Sequence, residues 1–161
     1  MSLTDDFKDA LASWASGVSV VTVAEREQVY GLTVSSFSSV SLDPPLVLVC
    51  LANSNRLPSM VKSTGRFAVS ILDRGQEAAS NYFASRGREP GPDFGEIGIE
   101  RTDSGLPVVA GAAAWVSCKL HSAIVQGTHT ICVGEVIQAK SNEGGQPLLY
   151  FRRAYRGVEG L

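Results

Sequence analysis

A dense run of hydroxyl side chains is the first feature of this sequence that has the chemistry to bind a ligand. Six serine and threonine residues lie within positions 33–41, in the segment GLTVSSFSSVS that begins at Gly31. Hydroxyls and free backbone N–H groups in a non-helical segment can bind an anion and the polar edge of a heteroaromatic ring. Composition alone leaves open a serine-rich edge strand with turns and no ligand.

A second candidate lies a few residues further on, where Asn53, Ser54 and Asn55 precede Arg56. Pro58 after a serine or asparagine cap is typical of a helix start, which predicts a short helix to about residue 63. Free N–H groups, the helix dipole and a guanidinium together form a phosphate site. The alternative is a self-capped helix with a solvated arginine.

The two segments are joined by the apolar run Leu46–Leu51, which follows the break at Asp43-Pro44-Pro45. A continuous apolar run of this length predicts a strand buried on both faces. Because this strand links the hydroxyl run to the helix start, both can border one cleft. Such a cleft would suit a phosphorylated aromatic cofactor.

Two later segments are weaker candidates. His129 begins the second arm of a predicted hairpin, and strand alternation places it with Ile131 and Val133, as a polar group on an apolar side. Such a histidine is often structural. The segment 150–156, YFRRAYR, is basic and aromatic, so it can stack on a ring and hold a phosphate, or it can cover the end of a barrel.

Composition excludes several classes of function. A net charge of −2 favours neither nucleic acid nor an anionic membrane as a partner, and no apolar run reaches the ~18 residues of a membrane helix. The sequence lacks the glycine patterns of Rossmann and P-loop sites. Cys118 and Cys132 with His121 and His129 match no zinc spacing, so we expect no metal. These cysteines and Cys50 predict free thiols in a cytoplasmic protein.

An opening helix is the first of the elements that must position these groups. Thr4 is its predicted N-cap and Gly17 its predicted stop. Phe7, Ala10, Leu11 and Trp14 fall at helical spacing on one stripe. This stripe is expected to pack on the core.

The remaining pattern is mostly that of β-strands. About six or seven strands with two or three short helices predict one domain over residues 1–161, a closed antiparallel barrel decorated by helices. Gln76–Ala84 is expected to be helical, and Arg86–Gly98 to form a mobile surface loop. The predicted strands are Val18–Val23 and its hairpin partner Val29–Ser35, Phe67–Leu72, the two arms of a hairpin over Ala112–Ala139 that turns near Gly127, and Pro147–Phe151.

The run GLTVSSFSSVSLDPPLVLVCLANS resembles the signature of the short-chain flavin reductases, within the FMN-binding split-barrel superfamily. The opening helix followed by SGVSVVTV, and the later GTHTICVGEV, occur in the same order as in that family. The resemblance extends from about Phe7 to Tyr155. It implies a homodimeric antiparallel split β-barrel that reduces FMN or FAD with NADH or NADPH and supplies reduced flavin to a separate monooxygenase. The alternative is a flavin carrier or sensor without NAD(P)H turnover.

The resemblance also implies the site residues. The segment 33–36 lies along the isoalloxazine, 50–54 beside the ring and ribityl chain, and 54–56 near the phosphate. His129 contacts the nicotinamide and is the one predicted catalytic residue. The predicted cofactor-binding residues are Thr33, Val34, Ser35, Ser36, Ser39, Cys50, Leu51, Ala52, Asn53, Ser54, Arg56, Phe83, Tyr150, Arg152, Arg153 and Tyr155.

This chain departs from the family pattern at two places. Thr128 stands where an aspartate is common, and Arg153-Ala154 stands where Gly-Arg is common. Both departures lie on the expected nicotinamide side of the site. They therefore bear on NAD(P)H use more than on flavin binding.

Overall fold

The computed structural model describes residues 2–160, which form three α-helices and twelve β-strands. The helices are α1 (Leu3–Ala12), α2 (Leu57–Thr64) and α3 (Glu77–Ala84). The strands are β1 (Ser16–Gly17), β2 (Ser19–Glu25), β3 (Gln28–Val34), β4 (Ser38–Leu42), β5 (Pro45–Ala52), β6 (Arg66–Ile71), β7 (Ile99–Arg101), β8 (Pro107–Val109), β9 (Ala114–Gln126), β10 (His129–Ser141), β11 (Leu149–Phe151) and β12 (Ala154–Arg156).

Seven of these strands form one antiparallel sheet in the order β3-β2-β6-β9-β10-β5-β4. The predicted hairpins are confirmed: β2 pairs with β3, and the thirteen-residue strands β9 and β10 pair across a turn at Gly127 and Thr128. Gly127 has a φ of +58°, a left-handed conformation that glycine adopts without strain. The chain is therefore mainly β, as predicted.

Of the strands of three residues or fewer, only β11 was predicted, within the expected strand Pro147–Phe151. β1, β11 and β12 form a small sheet, and β7 pairs with β8. Segments this short show too few alternations to give a period-two signal. None of the helices in residues 2–160 is both long and apolar enough to cross a membrane.

The main sheet is packed on both faces, and one of its two larger apolar clusters contains Phe67. Phe67, Cys118 and Cys132 are completely buried. A Cβ atom added at Gly134 would lie 2.5 Å from Phe67 Cζ and 2.7 Å from Cys118 Cβ. Glycine is therefore required at this position of β10, because no other residue leaves space for the phenyl ring.

The opening helix differs from its prediction. Its N-cap is Ser2, in a capping box with Asp5, rather than Thr4, and it ends at Ser13 rather than Gly17. None of its residues is buried, and the apolar stripe is exposed, with Phe7 59% and Trp14 76% accessible. The prediction that this stripe packs on the core of the chain is wrong, because helical spacing identifies an apolar face but not what covers it.

Strand β5 also corrects an expectation. Val47, Val49 and Leu51 are buried, whereas Leu48 and Cys50 on the other face are half-buried. The strand is therefore buried on one face and partly covered on the other. An apolar run does not distinguish these cases, since strand faces differ only by what packs on them.

Candidate functional site

An open cleft of about 740 Å³ lies where β3 and β5 end. Its walls come from these two strand ends, the start of α2, the end of α3 with the loop after it, and the first residue of β10. The lining residues are Tyr30, Leu32, Thr33, Val34, Ser35, Ser36, Cys50, Leu51, Ala52, Ser54, Asn55, Phe83, Ala84, Ser85, Arg86, Gly87 and His129.

The cleft brings together most of the residues predicted as a site, from four separate parts of the sequence. This is the juxtaposition expected from a strand linking the hydroxyl run to the helix start. The predicted residues that line it are Thr33, Val34, Ser35, Ser36, Cys50, Leu51, Ala52, Ser54, Phe83 and His129.

Two hydroxyls of the serine-rich run hold the walls of the cleft in place. Thr33 Oγ1 donates to the Ser80 carbonyl at 2.7 Å, which ties β3 to α3. Ser36 Oγ accepts from the Cys50 N–H at 3.0 Å and donates to the Cys50 carbonyl at 3.1 Å. The Ser36 side chain thus joins the segment after β3 to β5 as a strand partner would. Thr33 and Ser36 therefore line the cleft and also hold its walls in position.

The helix start at the cleft lacks the cap that the sequence predicted. Arg56 occupies the N-cap position with helical backbone angles, and no side chain caps this end. The prediction of a serine or asparagine cap is wrong. The first N–H groups of α2 are consequently not satisfied by a capping side chain, which keeps them available to an anion. The predicted glycine end is confirmed, since Gly65 is the left-handed C-cap.

Several predicted residues lie outside the cleft lining. Ser39 is exposed on β4, where it pairs with Val47. Asn53 is exposed beside the lining: its Oδ1 accepts from Thr130 Oγ1 at 2.6 Å and its N–H donates to the Thr128 carbonyl at 2.9 Å. Asn53 therefore fixes the end of the long hairpin beside His129.

Arg56 lies at the edge of the cleft and is paired. Its Nε is 2.7 Å from Glu89 Oε2, and both side chains are more than 60% exposed. From the sequence, two alternatives were open for Arg56, a phosphate ligand or a solvated side chain. The structure adds a third arrangement, an ion pair with a carboxylate from the loop after α3.

His129 is exposed at the start of β10, next to Ala52 of β5. Alternation does place it on the same side as Ile131 and Val133, but this is the less buried side of the strand, since Thr130 and Cys132 face the core. A hydrogen bond of 2.9 Å joins His129 Nδ1 to Thr128 Oγ1. The other ring nitrogen, Nε2, remains available to a ligand.

A second hollow of about 430 Å³ adjoins the first through Ser35, which lines both. It contains three of the predicted C-terminal residues. The residues that line it are Lys8, Leu11, Ala12, Trp14, Ser16, Ser35, Tyr150, Arg152 and Arg153.

The turn between β11 and β12 explains how these arginines are presented. Arg152 and Arg153 are its two central residues, and both have positive φ, 47° and 60°. Two-residue hairpin turns of this kind favour glycine or asparagine, so an arginine pair here is strained. Arg153 also bonds Asp9 of α1 at 2.6 Å. Tyr155, the last predicted residue, lines neither hollow; its ring centre is 5.5 Å from that of Tyr150, and its hydroxyl is hydrogen-bonded to Ser80 and Asn81 at 2.8 Å.

The sequence missed part of the cleft. Tyr30 and Leu32 look like ordinary strand residues, and nothing in their spacing distinguishes them from core. Asn55 belongs to the predicted helix start but was not chosen as a binding residue. The end of α3 and the loop after it also line the cleft, through Ala84, Ser85, Arg86 and Gly87. The segment from Arg86 onward was interpreted as a mobile surface loop, and its glycine and charge content did not indicate that it forms a wall of the cleft.

The three cysteines lie in two different environments, two in the core and one at the cleft. Burial raises the pKa of the Cys118 thiol to about 12 and also raises the pKa of Cys132. Both side chains are therefore neutral, inert core groups at physiological pH. Cys50 is the cysteine that reaches the cleft.

Comparison with known proteins gives a consistent result. The model of the flavin reductase like domain matches residues 11–159. The chain is 40% identical over 154 residues to the reductase component of 4-hydroxyphenylacetate 3-monooxygenase from Thermus thermophilus, with 96% of each chain covered. It is 40% identical over 143 residues to an NADH-dependent FAD reductase from Streptomyces globisporus, covering 88% of this chain and 78% of the relative.

Solved structures agree. The flavin reductase component of a bacterial two-component tryptophan halogenase superposes with a TM-score of 0.90 at 34% identity, covering 96% of this chain and 98% of the other. An NADH:FAD oxidoreductase from Streptomyces globisporus, in complex with NAD and FAD fragments, gives a TM-score of 0.91 at 32% identity, covering 98% and 94%.

Proposed function

This chain belongs to the flavin reductase like domain family, and from that premise we propose that its cleft is where FMN or FAD is reduced. The protein is an NAD(P)H:flavin oxidoreductase. Its relatives carry this activity in their names, as an NADH-dependent FAD reductase and an NADH-dependent flavin reductase from Rhodococcus.

The observation that carries the assignment to the cleft is its fit to a flavin. About 740 Å³ is within the usual range for a cofactor-sized ligand. Leu32 and Phe83 provide apolar surface, and Ser35 lies on the polar side of the same space. The uncapped N-terminus of α2 borders it. One cleft thus offers an apolar surface for the aromatic ring, a polar surface for the ring's polar edge and free N–H groups for the phosphate.

The redox chemistry is the cofactors' own: a bound flavin accepts a hydride from a bound nicotinamide. The protein's residues bind, orient and shield. Thr33 and Ser36 keep the walls at fixed separation through their backbone hydrogen bonds. His129, held by Thr128 through Nδ1, presents Nε2 to orient the nicotinamide carboxamide. Arg56 and the first N–H groups of α2 bind the flavin phosphate.

The second hollow is proposed to hold part of the pyridine nucleotide. Tyr150 offers a stacking surface, and Arg152 with Arg153 offers positive charge for its phosphates. The shared residue Ser35 places this hollow directly beside the flavin cleft. Three predicted residues support the site and do not contact the cofactors: Ser39, Asn53 and Tyr155. Ser39 lies on β4, and the side chains of Asn53 and Tyr155 are hydrogen-bonded to other residues of the fold.

A homodimer is part of the proposal, because the apolar stripe of α1 is exposed on the single chain. The large exposed apolar side chains are Leu3, Phe7, Leu11, Trp14, Val40, Leu42, Ile124, Val125 and Ile137. A symmetric second copy would cover the stripe of α1 that the chain leaves uncovered. The dimer would be cytoplasmic, where its free cysteines remain reduced. It would supply reduced flavin to a separate monooxygenase.

The test is an anaerobic reduction. Purified protein is mixed with FMN or FAD, NADH or NADPH is added, and flavin absorbance near 450 nm is followed beside a protein-free control. Rapid bleaching with at least one donor is expected and identifies the preferred pair. Flavin that binds but is not bleached by either nucleotide would contradict the reductase assignment and leave a flavin carrier.

A further inference from the structure

We propose that Glu89 sets the affinity of the cleft for the flavin phosphate, by competing with that phosphate for Arg56. The inference rests on the proposed function, since it takes the cleft as the flavin site. It makes Glu89 a specificity-determining residue that weakens the binding of phosphorylated flavins and leaves the ring contacts unchanged.

The Arg56–Glu89 ion pair connects two walls of the cleft. Arg56 follows directly on Asn55, which lines one wall, and Glu89 lies two residues after Gly87, which lines another. Arg56 Nε and Glu89 Oε2 are 2.7 Å apart. The Nε of the arginine at the N-cap position of α2 is therefore already paired with a carboxylate.

The loop that carries Glu89 is anchored on both sides of it. The Arg88 guanidinium donates to the carbonyls of Gly31 and Phe83, and lies 4.9 Å from the centre of the Tyr82 ring. Two residues beyond Glu89, Gly91 exchanges backbone hydrogen bonds of 2.7 and 3.2 Å with Val29. Glu89 is thus held opposite Arg56 by the fold, and the pair does not depend on a free loop.

The charges determine the consequence. A phosphomonoester near neutral pH carries between one and a half and two negative charges, roughly, so it competes well for a guanidinium. The phosphate must either displace Glu89 from Arg56 Nε or share the guanidinium with it, and in both cases the carboxylate repels the phosphate at short range. Because an exposed ion pair is weak, the penalty amounts to about two- to fivefold in affinity. Such a penalty favours release of flavin after reduction.

The experiment compares FMN with riboflavin, which has the same ring and ribityl chain but no phosphate. Dissociation constants of both are measured by fluorescence titration for the wild type, Glu89→Gln and the control Glu100→Gln. Glu100 also forms an exposed ion pair, with Lys140 at 3.7 Å, on β7 away from the cleft lining. Glu89→Gln is expected to tighten FMN about two- to fivefold with riboflavin unchanged, and Glu100→Gln to alter neither.

Two further measurements sharpen the result. At 1 M salt, where the Debye length is about 3 Å, the gain from Glu89→Gln should largely disappear. In an Arg56→Gln background the same substitution should give less than half its gain. An equal effect on both flavins, or no effect on FMN, would overturn the inference while leaving the reductase intact. A wild-type protein that binds neither flavin would overturn the proposed function itself.

Discussion

The packed core around Phe67 and the rim of the cleft are stabilised in different ways. At the core, Phe67 and Cys118 are completely buried and leave no space for a Cβ at Gly134. At the rim, Arg56 and Glu89 are exposed and held by an ion pair. Close apolar packing contributes most of the stability of a domain, whereas exposed polar contacts contribute little. Substitutions in the two regions should therefore have separable effects, on unfolding in one and on ligands in the other.

Gly134→Ala should have the largest effect. Its Cβ would overlap Phe67 and Cys118, so the free energy of unfolding should fall by about 2–3 kcal/mol. Denaturant titration at one fixed protein concentration measures this, and Phe67→Leu in the same chain should recover part of the loss. A Gly134→Ala protein that keeps wild-type stability but binds flavin more weakly would contradict the separation of the two regions.

The pH dependence of stability tests the core by another route. Because the folded-state pKa of Cys118 is raised to about 12, the unfolded chain releases this proton first, from about pH 9. Between about pH 9 and 12 the folded state therefore binds more protons than the unfolded state. In this range the free energy of unfolding falls as the pH rises, by about 1.4 kcal/mol per pH unit from this thiol. Cys118→Ala should reduce the slope of stability between pH 9 and 11. An unchanged slope would contradict the buried neutral thiol.

His129→Ala tests the rim. The KM for NADH should rise about tenfold, because the group that orients the carboxamide is lost, while the flavin KM stays within about twofold. The free energy of unfolding should change by no more than about 0.5 kcal/mol, since the side chain is exposed. His121→Ala, at an exposed position of β9, is the matched control. Unchanged steady-state reduction in the His129 variant would remove its role.

The sequence predicted the core better than the rim. Alternating or continuous β-branched residues identified β2, β3, β6 and the long hairpin, because these patterns follow from strand geometry. The cleft was anticipated because one short strand connects the hydroxyl run to the start of α2. Such short-range connections can be inferred from the order of the chain.

The errors have a common cause. The stripe of α1 and the second face of β5 are apolar in sequence, yet the chain leaves the first exposed and the second only half-buried. Periodicity shows that a face is apolar but not which molecule covers it. The Arg56–Glu89 pair joins residues distant in sequence, and the anchoring of its loop by Arg88 depends on side-chain contacts that no local pattern encodes. Long-range polar contacts therefore required the structure.

The most direct test of the account is to fill the cleft without disturbing the core. Ala84 is exposed at the end of α3 and lines the cleft, whereas Ala78 is exposed on the same helix and does not. Ala84→Trp should raise the flavin dissociation constant and slow NADH-driven bleaching, each by about tenfold or more, with wild-type stability. Ala78→Trp should behave as the wild type. Wild-type flavin binding and reduction by Ala84→Trp would show that flavin is bound elsewhere and would contradict the account.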